Sequence, residues 1–186
     1  MIIGITGYAR SGKDTLAQSL KLRHGFQRIA FADKLKELAL GTDPIIYWDE
    51  LCDIPVHLST LVAGLGWDRA KAHLEVRQYL QRLGDHCRST FGEDVWIRAT
   101  LPKLHALQDA GHHIVYTDVR YPNEADFIRS KGGLIIKVVR PGVQPVNNHV
   151  TEKNVDLIRE DVLLCNDSSK TALGRSASEH LSHYLS

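Results

Sequence analysis

Apolar residues come in short, nearly unbroken runs along this chain: IIGIT (2–6), FQRIAFA (26–32), HIVYTDV (113–119), LIIKVV (134–139) and VLLC (162–165). Runs of this length, rich in Ile, Val and Leu, are the pattern of strands buried on both faces, since half-exposed strands alternate instead. Between them the apolar positions recur at helical spacing over 12–22, 33–40, 68–90, 94–110 and 122–131, with Gly111 and the Gly132-Gly133 pair closing the last two. Pro102 predicts a kink or break in the 94–110 helix. Strand alternating with helix predicts an α/β fold around a parallel sheet. Residues 41–67 have no clean period and are expected to form an irregular insertion with a short helix. The stretch RPGVQPVNNHVTEKN (140–154), with its prolines, glycine and asparagines, reads as a loop, and there is no internal repeat or low-complexity tract.

Composition narrows the options without naming one. The chain has 186 residues, 43% hydrophobic and 24% charged, which suits one well-buried soluble domain. Lys and Arg number 23 against 22 Asp and Glu, so no bulk positive field argues for nucleic acid, and an anion must be met by local clusters of cations. The three cysteines are far apart and lack C-x-x-C spacing, which speaks against a zinc site and a disulfide framework and fits a reducing cytoplasm. No run approaches the ~20 apolar residues of a membrane span, so neither secretion nor insertion is expected. Ten histidines, without an H-x-x-x-H pair, read as scattered residues rather than metal ligands.

The chemistry begins at GYARSGKDT (7–15), which lies between the first apolar run and the first helical pattern. It nearly spells the phosphate-binding loop G-x-x-x-x-G-K-[ST], in which backbone amides and a helix N-terminus converge on a polyphosphate. Gly7 and Gly12 let the backbone close, Arg10 and Ser11 lie within the loop, and Lys13 reaches the β- and γ-phosphates. Asp14 occupies the place of the usual hydroxyl. Its carboxylate and the hydroxyl of Thr15 are both hard oxygens that magnesium accepts, while Asp14 also suits the first turn of a helix by charge alone. Asp118, at the carboxyl end of HIVYTDV, has the position of a Walker B carboxylate facing the ligand crevice, as a third magnesium candidate or as a helix cap. Arg120 brings a planar cation to the same crevice, and Asn123 and Glu124 either contact a ligand or shape the turn.

A second constellation lies on the 68–90 helix. With Arg77 at zero degrees, Gln81, Gly84 and Arg88 fall within about 40° of it, and Val76, Leu80, Leu83 and Cys87 form an adjoining apolar stripe. Two guanidinium groups on one edge of a buried helix suit an anion at the rim of a cleft.

The segments GYARSGKDT, FADKLKELA, VRQYLQRLGDHCR, EDVWIRA, YTDVRYPNEADFIRSKGG, VVRP and HVTE stand in the order seen in phage-type deoxynucleoside monophosphate kinases, and the chain resembles that family over nearly its whole length. The resemblance makes Asp14 a family trait. It implies a three-layer P-loop kinase fold, with a five-stranded parallel sheet ordered 2-3-1-4-5 and helices on both faces. It also implies one domain over 1–186, with an acceptor-binding insertion at about 34–92 and a lid-like loop at about 140–156. The activity implied is transfer of the ATP γ-phosphoryl group to a deoxynucleoside 5′-monophosphate with Mg²⁺. By the same resemblance Lys13, Arg120 and Arg140 are catalytic, and Asp33, Lys36, Arg77, Gln81 and Arg88 join Asp118, Arg120, Asn123 and Glu124 at the acceptor. Asp33 suits a helix cap equally well. His149, Thr151 and Glu152 match the family's H-x-[ST]-E without a derivable role. The implied partners are ATP and the monophosphate, with no nucleic acid and no membrane. The oligomeric state is open, a homodimer among the options, and the location is the host cytoplasm if the chain is phage-encoded. Phosphomevalonate kinases resemble the same loop, so a non-nucleotide acceptor is the alternative, and a non-catalytic ATP-binding regulator is another.

Overall fold

The computed structural model describes residues 1–143 and 154–185. They divide into two compact units. One comprises Met1–Phe31 and the chain from Ile97 onward, and the other Ala32–Trp96.

The first unit is built on five parallel strands: β1 (Ile2–Thr6), β2 (Gln27–Ile29), β5 (Ile114–Tyr116), β6 (Leu134–Val139) and β7 (Val162–Cys165). Their order across the sheet is β2-β5-β1-β6-β7. Because β3 and β4 belong to the other unit, the same order counted among the sheet's own strands reads 2-3-1-4-5. β1 is central, and all five of its residues are buried. One face is covered by α1 (Lys13–His24) and α7 (Lys170–Leu185), whose Leu16, Leu20, Leu173, Ala177 and Leu181 join Ile3, Ile5, Ile136 and Val138 in a common core. α6 (Pro122–Ser130) covers the opposite face, together with α5 (Val95–Asp109) from Ile97 onward. There the buried Tyr116 stacks on Phe31 with ring centroids 4.7 Å apart, meets Phe127 edge-on, and lies 3.3 Å from the Thr100 hydroxyl.

The second unit holds α2 (Phe31–Thr42) from Ala32 onward, the hairpin β3 (Ile45–Asp49) and β4 (Ile54–His57), α3 (Leu58–Ala70) and α4 (Leu74–Phe91). Its core is Ala39, Leu58, Leu61, Ala70 and Val76, flanked by half-buried Leu80 and Leu83.

Several expectations need correction. The segment 41–67 holds the expected helix, as most of α3, but the rest is not irregular, since it carries the antiparallel β3–β4 hairpin. Strands this short, with mixed exposure along them, leave no period to read. The 68–90 helix is two helices separated at 71–73, and α3 is itself kinked at Gly66, which has φ 74°. Pro102 does not end α5, which runs through it. The proline side is exposed, so the carbonyl that loses its N–H partner can be hydrated. β2 and β5 are shorter than the apolar runs suggest, β2 because Phe31 already starts α2. α7 was not anticipated: its sequence is rich in Ser and contains Gly174, and packing rather than propensity holds it. A side chain at Gly174 would strike Ser19 of α1, so the glycine sets the close approach of the two helices.

Candidate active site

The loop from β1 to α1 needs two backbone conformations that side chains oppose. Gly7 has φ 136° and Gly12 has φ 112°, both in the region that favours glycine. A Cβ at Gly7 would collide with the Val138 carbonyl, and one at Gly12 with the side-chain nitrogen of Asn166. Arg10 takes a positive φ of 65° without being glycine, a strained state of the kind found at ligand loops. Lys13 opens α1, and its ammonium donates to the carbonyls of Gly7 (2.8 Å) and Tyr8 (2.6 Å), which closes the loop around the lysine. The hydroxyls of Thr6 and Ser11 are buried and have no hydrogen-bond partner among the described residues. Unmet polar groups of this kind mark places where a polar ligand or ion can be accommodated.

Above the loop is a cleft of about 280 Å³ lined by Arg10, Gly12, Lys13, Asp14, Thr15, Arg140, Asn166, Ser168 and Lys170. Four cations and one carboxylate therefore face one small space, a charge balance that suits a polyanion. The parallel sheet explains the gathering: the carboxyl ends of β1, β6 and β7 are neighbours, so the segments that follow them meet. Of the residues expected at the phosphates, Arg10, Gly12, Lys13, Asp14, Thr15 and Arg140 line this cleft, while Gly7 and Ser11 shape the loop beneath it. The side chains of Asn166, Ser168 and Lys170 were not expected, although CND (165–167) follows the last strand, where many P-loop kinases cradle the adenine through backbone contacts. A legible signal did exist, for Ser169 accepts the N–H of Ala172 as a helix-capping serine, which puts Lys170 at the first turn of α7.

Asp118 and its neighbours follow β5. Asp118 accepts the backbone N–H of Phe31 at 2.9 Å, so it caps the start of α2 and ties the end of β2 to the end of β5, instead of capping α6. Glu124 is only 2% exposed, and one of its oxygens accepts the N–H groups of Arg120 (2.8 Å) and Tyr121 (3.1 Å). Its carboxylate thus holds the turn that leads into α6 and orients the backbone of Arg120. Asn123 stands half-buried in the first turn of the same helix.

In the second unit, α4 carries Arg77, Gln81 and Arg88 in contrasting settings. Arg88 is 6% exposed and donates to the Glu93 carbonyl at 2.5 Å, with the Glu93 carboxylate 3.9 Å away. Arg77 is exposed and reaches the Lys71 carbonyl at 3.4 Å, and Gln81 is half-buried. Eleven residues separate the two arginines, about 16 Å along the helix axis. They share an edge but are not brought together. Asp33 lies inside the first turn of α2 rather than at its cap, paired at 3.9 Å with Lys36, whose ammonium sits 5.6 Å above the Trp67 ring. His149, Thr151 and Glu152, and most of the lid-like stretch, lie outside the described residues. Among the described residues no group of three or more His, Cys, Asp or Glu side chains could hold a metal, and no helix is long and apolar enough to cross a membrane.

The family of deoxynucleotide monophosphate kinases matches residues 67–176. A protein of Acanthamoeba polyphaga mimivirus assigned that activity is 33% identical over 186 aligned residues, covering 91% of this chain and 90% of its own. The deoxynucleotide monophosphate kinase of Enterobacteria phage T4 is 30% identical over 96 residues, 50% of this chain and 40% of its own. That of Escherichia phage RB69 is 28% identical over 157 residues, 74% and 64% respectively. Among solved structures, dephospho-CoA kinase from Campylobacter jejuni aligns with a TM-score of 0.51 at 13% identity, over 100% of this chain and 97% of that one. A sugar kinase from Janibacter aligns with a TM-score of 0.51 at 14% identity, over 97% and 94%. These last two likenesses establish the P-loop kinase fold.

Proposed function

The chain belongs to the deoxynucleotide monophosphate kinase family, and from that premise we propose that it transfers the γ-phosphoryl group of ATP to a deoxynucleoside 5′-monophosphate, giving ADP and the diphosphate. The observation that carries the reading is the cleft above the loop, where Arg10, Lys13, Arg140 and Lys170 surround the start of α1. Phosphoryl transfer asks little covalent chemistry of a protein and much positioning and charge neutralisation. The triphosphate of ATP lies in this cleft, with Lys13 at the β- and γ-phosphates and Arg10 and Arg140 along its length. The acceptor phosphate is already ionised at neutral pH, so no general base is required.

Arg120 stabilises charge on the phosphoryl group in transfer, its backbone held by Glu124. The unit Ala32–Trp96 serves as the acceptor-binding insertion. Within it the buried Arg88 grips the acceptor phosphate, Gln81 contacts the base, and Arg77, Asp33 and Lys36 take outer positions. The donor set fits magnesium: Asp14 and Thr15 offer hard oxygens beside Lys13 that would hold it. Bound there, Mg²⁺ would neutralise charge on the β- and γ-oxygens. Asp118, with one oxygen already accepting the Phe31 N–H, acts from farther out. Free nucleotides, not nucleic acid, are the partners, and the place of action is the cytoplasm.

The test is ADP release with ATP and Mg²⁺ against a panel of deoxynucleoside monophosphates, ribonucleoside monophosphates and phosphomevalonate. Turnover with at least one deoxynucleoside monophosphate, above that with phosphomevalonate, is the expected result. No turnover with any nucleotide rejects the reading.

A further inference from the structure

Asn166 is the first residue after β7 and was not among the residues expected to act. Its backbone N–H donates to the Val139 carbonyl at 2.7 Å, extending the β6–β7 pairing by one bond. The residue is thereby seated on the sheet, and its side chain crosses toward β1's loop. There Nδ2 donates to the Ser11 carbonyl at 2.8 Å, a contact between residues 155 positions apart. The amide orientation follows from chemistry, because a carbonyl oxygen can only accept and so must face the NH₂ end. Gly12 completes the contact: a Cβ there would come closer to Asn166 Nδ2 than the two atoms can approach. Glycine at 12 thus serves both the left-handed turn and the approach of Asn166.

The consequence lies in the peptide plane. In a trans peptide the carbonyl of one residue and the N–H of the next point in opposite directions. Holding the Ser11 carbonyl from one side fixes the Gly12 N–H on the other. That N–H belongs to the N-cap residue of α1, and glycine has no side chain with which to cap the helix itself. We propose that Asn166 is the positioning residue of the donor site, and that by clamping the Ser11–Gly12 peptide from the end of β7 it holds the loop amide in register for the phosphates of the nucleoside triphosphate. Asn166 touches no reacting atom in this role. The inference rests on the assignment of the cleft as the donor site.

Two variants test it, each measured first by equilibrium binding of ATP–Mg²⁺ to the whole chain and then by kinetics. Asn166→Asp keeps the shape but turns the donor into an acceptor facing a carbonyl, and Asn166→Ala removes the contact. Loss of one neutral hydrogen bond predicts about 3- to 10-fold weaker ATP binding in Asn166→Ala, and a larger loss in Asn166→Asp, whose charge also opposes the phosphates. The KM for the monophosphate stays at its wild-type value, as does the thermal midpoint to within a few degrees. Unchanged ATP affinity in both variants overturns the proposal. So does an equal loss for ATP and for the monophosphate accompanied by a lowered midpoint, which would make Asn166 a structural tie. Because ATP binding is read without an acceptor, a chain that binds ATP yet phosphorylates no nucleotide rejects the function while still deciding the role of Asn166.

Discussion

Asp14 stands in the first turn of α1, exposed and on the wall of the cleft, where most loops of this kind present a hydroxyl. If its carboxylate faces the metal, Asp14→Asn raises the Mg²⁺ concentration needed for half-maximal activity by about 10-fold, the scale seen when groups that orient a metal's ligands are lost. Nucleotide affinity measured in EDTA stays close to wild type. An unchanged magnesium titration would leave Asp14 as a charge at a helix start, worth about 0.3–1 kcal/mol. Arg88 raises a different question, since it is both buried and charged. If Arg88 grips the acceptor phosphate, Arg88→Ala loses a charge-assisted contact of about 1.5–3 kcal/mol, which raises the acceptor KM by roughly 10- to 150-fold and leaves ATP binding in place. Loss of ATP affinity in place of acceptor affinity would move this residue to the donor side. Arg77, exposed and about 16 Å away along the axis, is expected to give a smaller effect than Arg88.

The elements show how local rules yield to packing. α5 keeps Pro102 at its eighth position, although proline there removes the N–H that would bond the Arg98 carbonyl. Leu104, two residues on, is fully buried, and Trp96 and Ile97 at the start are nearly so, which holds the helix on both sides of the defect. Pro102→Ala restores the missing bond on an exposed face. We expect stabilisation of about 1 kcal/mol, below the full proline penalty because the freer unfolded chain offsets part of it. The urea midpoint should rise while kcat and KM hold; a fall in the midpoint would mean that proline stiffness outweighs the lost bond. α7 makes the same point in reverse, for Leu173, Ala177 and Leu181 recur every four residues and bury one stripe against α1 despite Gly174 and the serines in the helix. α6 depends on the buried Glu124, which satisfies the N–H groups ahead of the helix.

At the scale of the whole molecule, Tyr116 links stability to pH, because its ring sits fully buried in the core of the first unit. Burial raises its pKa first, with the nearby Asp118 carboxylate adding to the rise and the Thr100 hydrogen bond opposing it. The folded state therefore keeps the phenol protonated where the unfolded chain would release the proton. Stability is fully present below the ordinary value near 10 and declines as pH rises toward the higher folded value. Urea midpoints at pH 9 and pH 11 should show that decline, and Tyr116→Phe should flatten it; an equal decline in the variant would assign it to other groups. What the sequence by itself determined was whatever is written locally. The five apolar runs predicted the sheet strands, and GYARSGKDT predicted the loop with Lys13, Asp14 and Thr15, because strand burial and phosphate binding both act through residues adjacent in the chain. The identity of the second unit's hairpin escaped, since strands of five and four residues with mixed exposure carry no period. So did the partners of Glu124 and Asp118, whose carboxylates suit ligands and caps equally until the neighbouring N–H groups are located. Asn166 and Lys170 enter the cleft above the loop only because the parallel order β1-β6-β7 sets the carboxyl ends of strands remote in sequence side by side, and a contact between Ser11 and Asn166 has no local pattern from which it could be read.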